Sequence, residues 1–444
     1  MNKNYLFLML LSILCLSLLI LNASKELESE KIEITVAGFT EDSTLKTAGA
    51  QIGDILLRYE GKAIPDIKTL GDLKSGVKTD TVMLELLRNG ELIKFEIPAG
   101  QLGVFLREFY PDHKFDEEAV IIDGIEKLDW GIGMENSFLA ALTRIDEKFG
   151  YGLTYQDLVG LSAYGFRIHF YDGWCPSSPD ATCGWDCGAY ILNALGYDFE
   201  VYLLDEFAEK EYEEFSLDKE SMIKKIVGSI DSGWPVIAID LIRVPEWGII
   251  TGYQDKGNGL ICRTYYDKTR GYDLAEKFPW VIYIIKNRTV VDLKPLYLQS
   301  LKQAKKLYNQ EDYKNYFSGI KAIEEWINAL SNEQTFQEME PEKYQEVQLA
   351  NWWIYYSLWD ARGYTIQYLK DNTGNFSIRE KNIQQLISLY AQETKLLKAG
   401  FDFVPNPHEN KAENWTPELR IEQINTLKKI LEFERKVNLI LLTL

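Results

Sequence analysis

A thiol and an imidazole in one short stretch are the side chains best suited to covalent chemistry. His169 ends an alternating, strand-like segment, and Cys175 lies in the loop that follows it. A cysteine activated by a nearby histidine is the minimum required for acyl transfer. Trp174 and Trp185 lie in the same loop and would form walls of a pocket around such a pair. A strand histidine is also commonly a buried, hydrogen-bonded residue without a catalytic role, so both interpretations stay open.

The cysteines of this loop support two further interpretations. Cys175, Cys183 and Cys187 lie among Pro, Gly and Ser residues, which predicts a disulfide from Cys175 to Cys183 or Cys187 outside the cytoplasm. Such a bond would remove the thiol needed for catalysis. The cysteine spacing matches no common zinc pattern, so we predict no metal site and no cofactor. Cys262 falls in a predicted strand and is expected to be a buried thiol.

Three segments would form the elements around a catalytic cleft. Residues 235–239 and 247–251 are apolar and rich in β-branched side chains, which predicts two buried strands. Gly252 begins a turn out of the second strand. Upstream, residues 133–142 combine a small polar pair with Phe and an Ala-Ala-Leu run, which is typical of the start of a helix.

Together, these segments resemble the papain-like fold of bacteriocin-processing cysteine peptidases and of the N-terminal domain of the butirosin acyltransferase family. The resemblance covers roughly residues 120–288 and implies a papain-like domain at 115–290. In that family a nucleophilic Cys heads the helix, and a His general base precedes a Gly-Tyr pair. The resemblance places Asn136 at the Cys position and Glu246 at the His position. A carboxylate replaces an imidazole at neutral pH only if its pKa is raised, so the resemblance implies a degenerate site.

The segment 31–108 is similar to bacterial PDZ domains. It contains an Ala-Gly-x-x-x-Gly-Asp motif at 48–54 and an Asn89-Gly90 hairpin signal between two strands. PDZ domains bind the end of a peptide as an added strand, beside a loop that receives its carboxylate. The resemblance assigns this role, in a circularly permuted arrangement, to the residues Leu102, Gly103, Val104 and Phe105. The helix near 69–73 would form the opposite wall; the alternative is a spacer without a free groove.

Residues 291–444 show helical periodicity without a strict repeat, which predicts an all-α bundle. Ser377 and Glu380 form a capping-box pattern, and Thr416-Pro417 predicts the start of the last helix. One predicted helix is aromatic around most of its circumference, which is typical of burial on several sides. The alternative is a ligand pocket, with candidate residues Trp174, Trp247, Trp326, Trp352, Trp359, Asp360 and Arg362.

Charge and the N-terminal segment restrict the possible partners and location. The formal net charge is -19 at pH 7, which argues against nucleic acid or an anionic lipid surface as a partner. Residues 1–24 contain a long apolar run that follows Lys3 and precedes Glu26 and Glu28. This pattern predicts a signal peptide or a single membrane anchor, with the bulk of the chain outside the cytoplasm.

The sequence therefore predicts a multidomain α+β protein. Its parts are a PDZ unit, a papain-like unit and an all-α bundle. The favoured function is extracytoplasmic recognition of peptide or protein C-termini by the PDZ-like unit, with the papain-like unit a binding cleft rather than an enzyme. The alternative function is that of a cysteine-dependent hydrolase or acyltransferase that uses Cys175 and His169.

Overall fold

The computed structural model describes residues 32–40, 42–128, 133–207, 214–407 and 414–444. Helices and several sheets form two compact units, so the expectation of a multidomain α+β protein is confirmed at that level. The first unit contains the residues up to Glu118 together with Tyr266–Ala275. The second unit contains Ala119–Tyr265 and Glu276–Leu444.

The predicted anchor at residues 1–24 lies outside the described residues. Among the helices within the described ranges, none combines the length and the apolar character that crossing a bilayer requires.

The first unit is built on one antiparallel sheet. Its elements are β1 (Glu33–Phe39), α1 (Thr44–Thr47), β2 (Ile55–Tyr59), β3 (Lys62–Ala63), α2 (Ile67–Ser75), β4 (Thr81–Arg88), β5 (Glu91–Pro98) and β6 (Val104–Phe109). The strand order is β5-β4-β2-β1-β6, with β3 beside β2. Asn89 and Gly90 have φ of 50° and 82°, so the predicted hairpin between β4 and β5 is confirmed with a mirror-image turn. Leu70 of α2 packs with strand residues such as Val36 and Leu84 in the core.

A second sheet forms the centre of the other unit. The strands and helices of residues 120–288 are β7 (Val120–Ile121), α3 (Ser137–Phe149), α4 (Tyr155–Leu161), β8 (His169–Phe170), α5 (Cys187–Ala194), β9 (Tyr197–Leu204), β10 (Ser216–Leu217), α6 (Lys219–Asp231), β11 (Val236–Ile239), β12 (Trp247–Gln254), β13 (Gly259–Arg263), β14 (Asp273–Leu274, in the part of the chain assigned to the first unit) and β15 (Val281–Arg288). β8 is not part of this sheet. β11 and β12 pair antiparallel, with Val236 opposite Ile250, which confirms the two predicted buried strands.

Long helices complete the second unit. They are α7 (Lys294–Asn309), α8 (Gly319–Ser331), α9 (Glu333–Gln337), α10 (Pro341–Asp371), α11 (Glu380–Gly400) and α12 (Pro417–Leu442), with a short hairpin of β16 (Asp312–Tyr313) and β17 (Tyr316–Ser318). This hairpin means that the segment is not all-α as predicted. Thr416 caps α12 as expected, but α11 has Arg379 at its N-cap without a side-chain bond, so the capping box at Ser377 and Glu380 is wrong.

The sheet-bearing part and the helical part of the second unit share one core. Phe170 of β8 and Trp174 of the cysteine loop pack in the same buried cluster as Trp326 of α8 and Tyr355 of α10. β17 also pairs with β8, with Ser318 opposite His169. Because apolar burial and strand pairing both cross residue 290, the two parts fold as one unit.

Candidate functional site

β6 forms one edge of the sheet in the first unit. Within the described residues it forms a ladder with β1 alone, from Glu33 opposite Phe109 to Phe39 opposite Val104. An edge strand presents backbone groups to which another extended segment can pair. Strand addition therefore has a geometric basis at this edge.

α2 lies across a groove from β6. Asp66 caps the helix by accepting a hydrogen bond from Thr69 N at 2.6 Å, and Ile67 N donates to Glu108 Oε1 on β6, also at 2.6 Å. The bond from Ile67 to Glu108 fixes the helix beside the strand. The groove between them has a volume of about 230 Å³ and is lined by Thr40, Ile67, Leu70, Gly71, Lys74, Gln101, Leu102, Gly103, Val104 and Leu106.

The loop that closes the groove directs its carbonyl groups into the protein. Leu45 N donates to the Leu102 carbonyl at 3.2 Å, and Thr40 N donates to the Gly103 carbonyl at 2.9 Å. In the part of the chain that the structure describes, the amides of Leu102 and Gly103 have no acceptor. Two such amides can bind a carboxylate. Gly103 has φ of 66°, and a Cβ there would lie 2.5 Å from Ser43 Cα, so a glycine is required.

The structure specifies which side chains of the predicted edge and of the opposite wall line the groove. The side chain of Phe105 is 56 % exposed and does not line the groove, because side chains alternate along a strand and Val104 and Leu106 face it instead. On α2, the groove face is formed by Ile67, Leu70, Gly71 and Lys74. Thr69 and Leu73, the ends of the predicted wall, line a separate depression on another face.

In the second unit, Asn136 and the residue after it have different roles. Asn136 is the N-cap of α3: its Oδ1 accepts from Leu139 N at 3.0 Å, and its own N–H donates to the hydroxyl of Tyr155 at 2.8 Å. Ser137 Oγ donates to Glu246 Oε2 at 2.6 Å and accepts from Trp247 N at 3.1 Å. Glu246 thus pairs with Ser137, the residue after Asn136, and not with Asn136 itself.

Glu246 has an unusual affinity for protons. Burial raises its pKa to about 7; repulsion by Asp180 and Glu135 adds to this effect, and the hydrogen bond from Ser137 opposes it. Glu246 nevertheless keeps partial exposure, whereas Ser137 is only 3 % exposed. The carboxylate that stands in the expected base position therefore meets the condition for base chemistry near neutral pH.

α10 brings further polar groups to the same place. Tyr356, Asp360 and Tyr364 recur every four residues and so share one face of the helix. The Tyr356 hydroxyl hydrogen-bonds with Glu135. Burial and the charge of Glu135 raise the pKa of Asp360 well above its ordinary value. We call the group Ser137, Glu246, Glu135, Asp360, Tyr155, Tyr265, Tyr356 and Tyr364 the acidic cleft.

Among the described residues, none of the groups that shift the pKa of Glu246 or of Asp360 carries a positive charge. The groups that shift the pKa of Glu246 are Ser137 and two acidic residues, and the charge that shifts the pKa of Asp360 is that of Glu135. Tyr155 and Tyr364 pack edge to face beside them, with ring centroids 4.9 Å apart. Aromatic faces next to the carboxylates of Glu246 and Asp360 form an environment that favours a cation.

Cys175 and His169 do not form the alternative dyad. His169 Nδ1 bonds with the Cys183 carbonyl at 3.1 Å, and its Nε2 has no hydrogen-bond partner among the described residues. Burial lowers the pKa of His169 well below its ordinary value. The ring is therefore a buried strand histidine, and among the described residues neither of its nitrogens hydrogen-bonds with the Cys175 thiol.

The described cysteines are free thiols. Cys175 and Cys183 both hydrogen-bond with the Tyr316 hydroxyl, and burial raises the pKa of the Cys183 thiol to about 12. Cys187 heads α5, where its Sγ donates to the Ala181 carbonyl at 3.0 Å. The shared tyrosine brings Cys175 and Cys183 together, so a Cys175–Cys183 disulfide stays a prediction that this geometry favours over Cys175–Cys187. Cys262 is buried in β13, as expected.

Most of the predicted pocket residues lie elsewhere. Trp174, Trp326 and Trp352 pack in the shared core, because α10 is buried against several neighbours. Arg362 is fully buried in an ion cluster described below. Trp359 packs edge to face on Phe401, with centroids 5.5 Å apart. Of the pocket candidates, Asp360 belongs to the acidic cleft, and Trp247 lies directly behind it, with its indole N–H donating to Asp180 at 2.8 Å.

The site residues assigned from the sequence did not include Ser137, Glu135 or the tyrosines of the acidic cleft. Ser137 directly follows Asn136, so its hydroxyl was the local signal that could have found it. Tyr155 and Tyr265 carry no local signal, since distant segments bring them to the cleft. In the described ranges no three His, Cys, Asp or Glu side chains are arranged to hold a metal ion. No protein-family model and no curated protein sequence matches the chain.

Proposed function

We propose that the first unit binds the C-terminal end of an extended peptide, as the PDZ domains that it resembles do. In this proposal residues 1–24 attach the chain to the outer side of the cell membrane or direct its secretion. The second unit is then a papain-like domain in which the Cys and His of the family are replaced. The observation that carries the proposal is the groove between α2 and the edge strand β6, closed at one end by two amides without acceptors.

The groove lining favours a ligand with apolar side chains and one negative charge. Ile67, Leu70, Val104 and Leu106 supply apolar surface on both walls, and Lys74 is the basic residue of the lining. A peptide that pairs with β6 would direct alternate side chains into the groove and leave the others in solvent. Its terminal carboxylate would meet the amides of the closing loop, where charge-assisted hydrogen bonds are strong.

The affinity of the full chain for C-terminal peptides tests this proposal. A fluorescence-polarisation screen of peptides with free C-termini is expected to find binders with a Kd on the order of 1 μM, about -8 kcal/mol. Amidation of the peptide C-terminus should weaken binding by at least about tenfold, because charge-assisted bonds to the loop amides are lost. Gly71→Leu fills the groove from α2 without a clash, since a Cβ at Gly71 has open space around it. It should abolish binding.

Thr69→Leu is the matched control. It introduces the same side chain on α2, but on the face away from the groove, so affinity should change less than about threefold. Binders that tolerate both amidation and Gly71→Leu would show that the groove is not the site. The first unit would then be a spacer between the N-terminal segment and the second unit.

A further inference from the structure

Ser137 and Glu246 have the geometry of a hydroxyl nucleophile and its base. The serine is the first residue of the 13-residue helix α3, and its hydroxyl hydrogen is directed at Glu246 Oε2 over 2.6 Å. Nucleophile and base within 2.6–3.2 Å is the contact that covalent catalysis requires. The backbone N–H of Trp247, the residue after Glu246, donates to Ser137 Oγ at 3.1 Å and so fixes the orientation of the hydroxyl.

The same helix end supplies donors for a developing negative charge. The N–H of Leu139 is used by the Asn136 side chain, and that of Ala140 by the Asn136 carbonyl. The N–H groups of Ser137 and Phe138 have no acceptor anywhere in the described ranges. Free amides at a helix N-terminus, next to the attacking oxygen, are suited to stabilise an oxyanion.

The charge around the pair indicates the kind of substrate. Glu135 and Asp360 are partly exposed, and Asp360 has no hydrogen bond or ion pair with any described residue. Tyr356 and Tyr364 add aromatic surface on the same face of α10. A substrate that places a positive charge near Asp360 would gain both a carboxylate partner and aromatic faces.

We propose that Ser137 is the nucleophile of an acyl-transfer reaction, with Glu246 as its general base, on esters or amides that carry a positive charge. Ser137 Oγ forms a bond to the acyl carbon while its proton passes to Glu246. The bond to the leaving group then breaks, and Glu246 returns the proton to the leaving alcohol or amine. Water attacks the acyl-serine with Glu246 again as base, which releases the acid and restores Ser137. This activity is independent of peptide binding by the first unit.

A fluorophosphonate probe tests the nucleophile in the full chain, since a nucleophilic serine displaces its fluoride and forms a stable phosphoryl ester. Mass spectrometry is expected to find the label on Ser137. Glu246→Gln keeps an acceptor for the Ser137 hydroxyl but removes the base, so the labelling rate should fall by at least about 100-fold. Ser137→Ala should abolish the label. Ser229→Ala, which removes a buried hydroxyl that bonds the Trp234 carbonyl instead, should have no effect.

The pH dependence and the substrate charge give two further readouts. The labelling rate should rise as Glu246 loses its proton near pH 7, with Glu135, Asp180 and Tyr265 as the titratable groups that face it. A p-nitrophenyl ester with a quaternary ammonium group should react at least about tenfold faster than an anionic one, and Asp360→Asn should reduce this preference.

A label on any other residue, or a Glu246→Gln variant that reacts at the parent rate, overturns the nucleophile assignment. Equal rates for the two esters overturn the proposed preference for positively charged substrates.

Discussion

Glu246 is a carboxylate whose chemistry is set by its surroundings. In water a glutamate side chain is ionised at neutral pH, whereas burial in the acidic cleft raises the pKa of Glu246 to about 7. No basic residue contributes to this shift among the described groups that act on it. The folded protein therefore favours the protonated form at pH values where the unfolded chain is already ionised.

This shift predicts a pH-dependent cost in stability at a single residue. Between the unfolded pKa of about 4.5 and the folded pKa of about 7, the folded state binds the proton and the unfolded state does not, so the free energy of unfolding falls as pH rises. Glu246→Gln removes this titration. It should stabilise the second unit relative to the parent chain by roughly 1–3 kcal/mol at pH 8 and by little at pH 4.

Urea unfolding followed by tryptophan fluorescence measures this difference, because every tryptophan in the described ranges lies in the second unit. Asp255→Asn is a suitable control, since Asp255 is an exposed acid in the turn after β12. Equal effects of Glu246→Gln at pH 4 and pH 8 would show that Glu246 has an ordinary pKa in the folded protein.

At the scale of elements, α4 and α10 pack closely because one of them lacks a side chain at the contact. A Cβ at Gly160 of α4 would lie 2.1 Å from the ring of Tyr368 on α10. Gly363 is a glycine of α10 itself, exposed and with open space around it. A side chain would therefore clash with a neighbouring helix at Gly160 but not at Gly363. Both glycines lower the helix propensity of their segments equally.

Alanine substitutions at the two glycines should have opposite signs. Gly160→Ala is expected to reduce the free energy of unfolding of the second unit by about 1–3 kcal/mol or more, because the ring of Tyr368 must move. Gly363→Ala should increase it by about 0.5–1 kcal/mol through helix propensity alone. Thermal and urea unfolding of both variants provide the measurement. If Gly160→Ala also stabilised the protein, the close approach of α4 and α10 would be wrong.

At the scale of the molecule, a buried ion cluster ties the two parts of the second unit together. Arg362 of α10 pairs with Glu393 of α11 and Glu434 of α12, and it also donates to the carbonyl of Gly165 in the sheet-bearing part. These three ionisable side chains are fully buried. Burial and the nearby charge of Glu434 raise the pKa of Glu393 well above its ordinary value.

Removing the arginine should therefore destabilise the whole second unit. Arg362→Leu leaves a buried carboxylate without its partner, and we expect a loss of about 3–5 kcal/mol in the free energy of unfolding. Arg435→Leu is the matched control: it breaks an exposed pair with Glu324 on the same bundle and should cost less than about 1 kcal/mol. Urea unfolding by tryptophan fluorescence compares the two. Similar costs for both would contradict the burial of Arg362.

Local sequence signals determined several elements of this protein. The Asn89-Gly90 pair favours positive φ at both positions, and this alone specifies the hairpin between β4 and β5. The β-branched runs of β11 and β12 and the Thr416 cap of α12 are equally local. The closing loop around Gly103 was also predictable, because a Gly between apolar residues before a strand is a short motif. The capping box at Ser377 was wrong, because α11 begins at Glu380 with Arg379 as its N-cap.

The acidic cleft was decided only by the tertiary structure. Ser137 and Glu246 are 109 residues apart, and their hydrogen bond depends on the packing of α3 against the start of β12. Asp360 arrives from a helix that the sequence separated into another domain. The raised pKa of Glu246 follows from burial, which is a property of the assembled fold and not of any local segment. Periodicity and turn motifs report interactions between near neighbours, so the sequence predicted the elements but not which side chains meet.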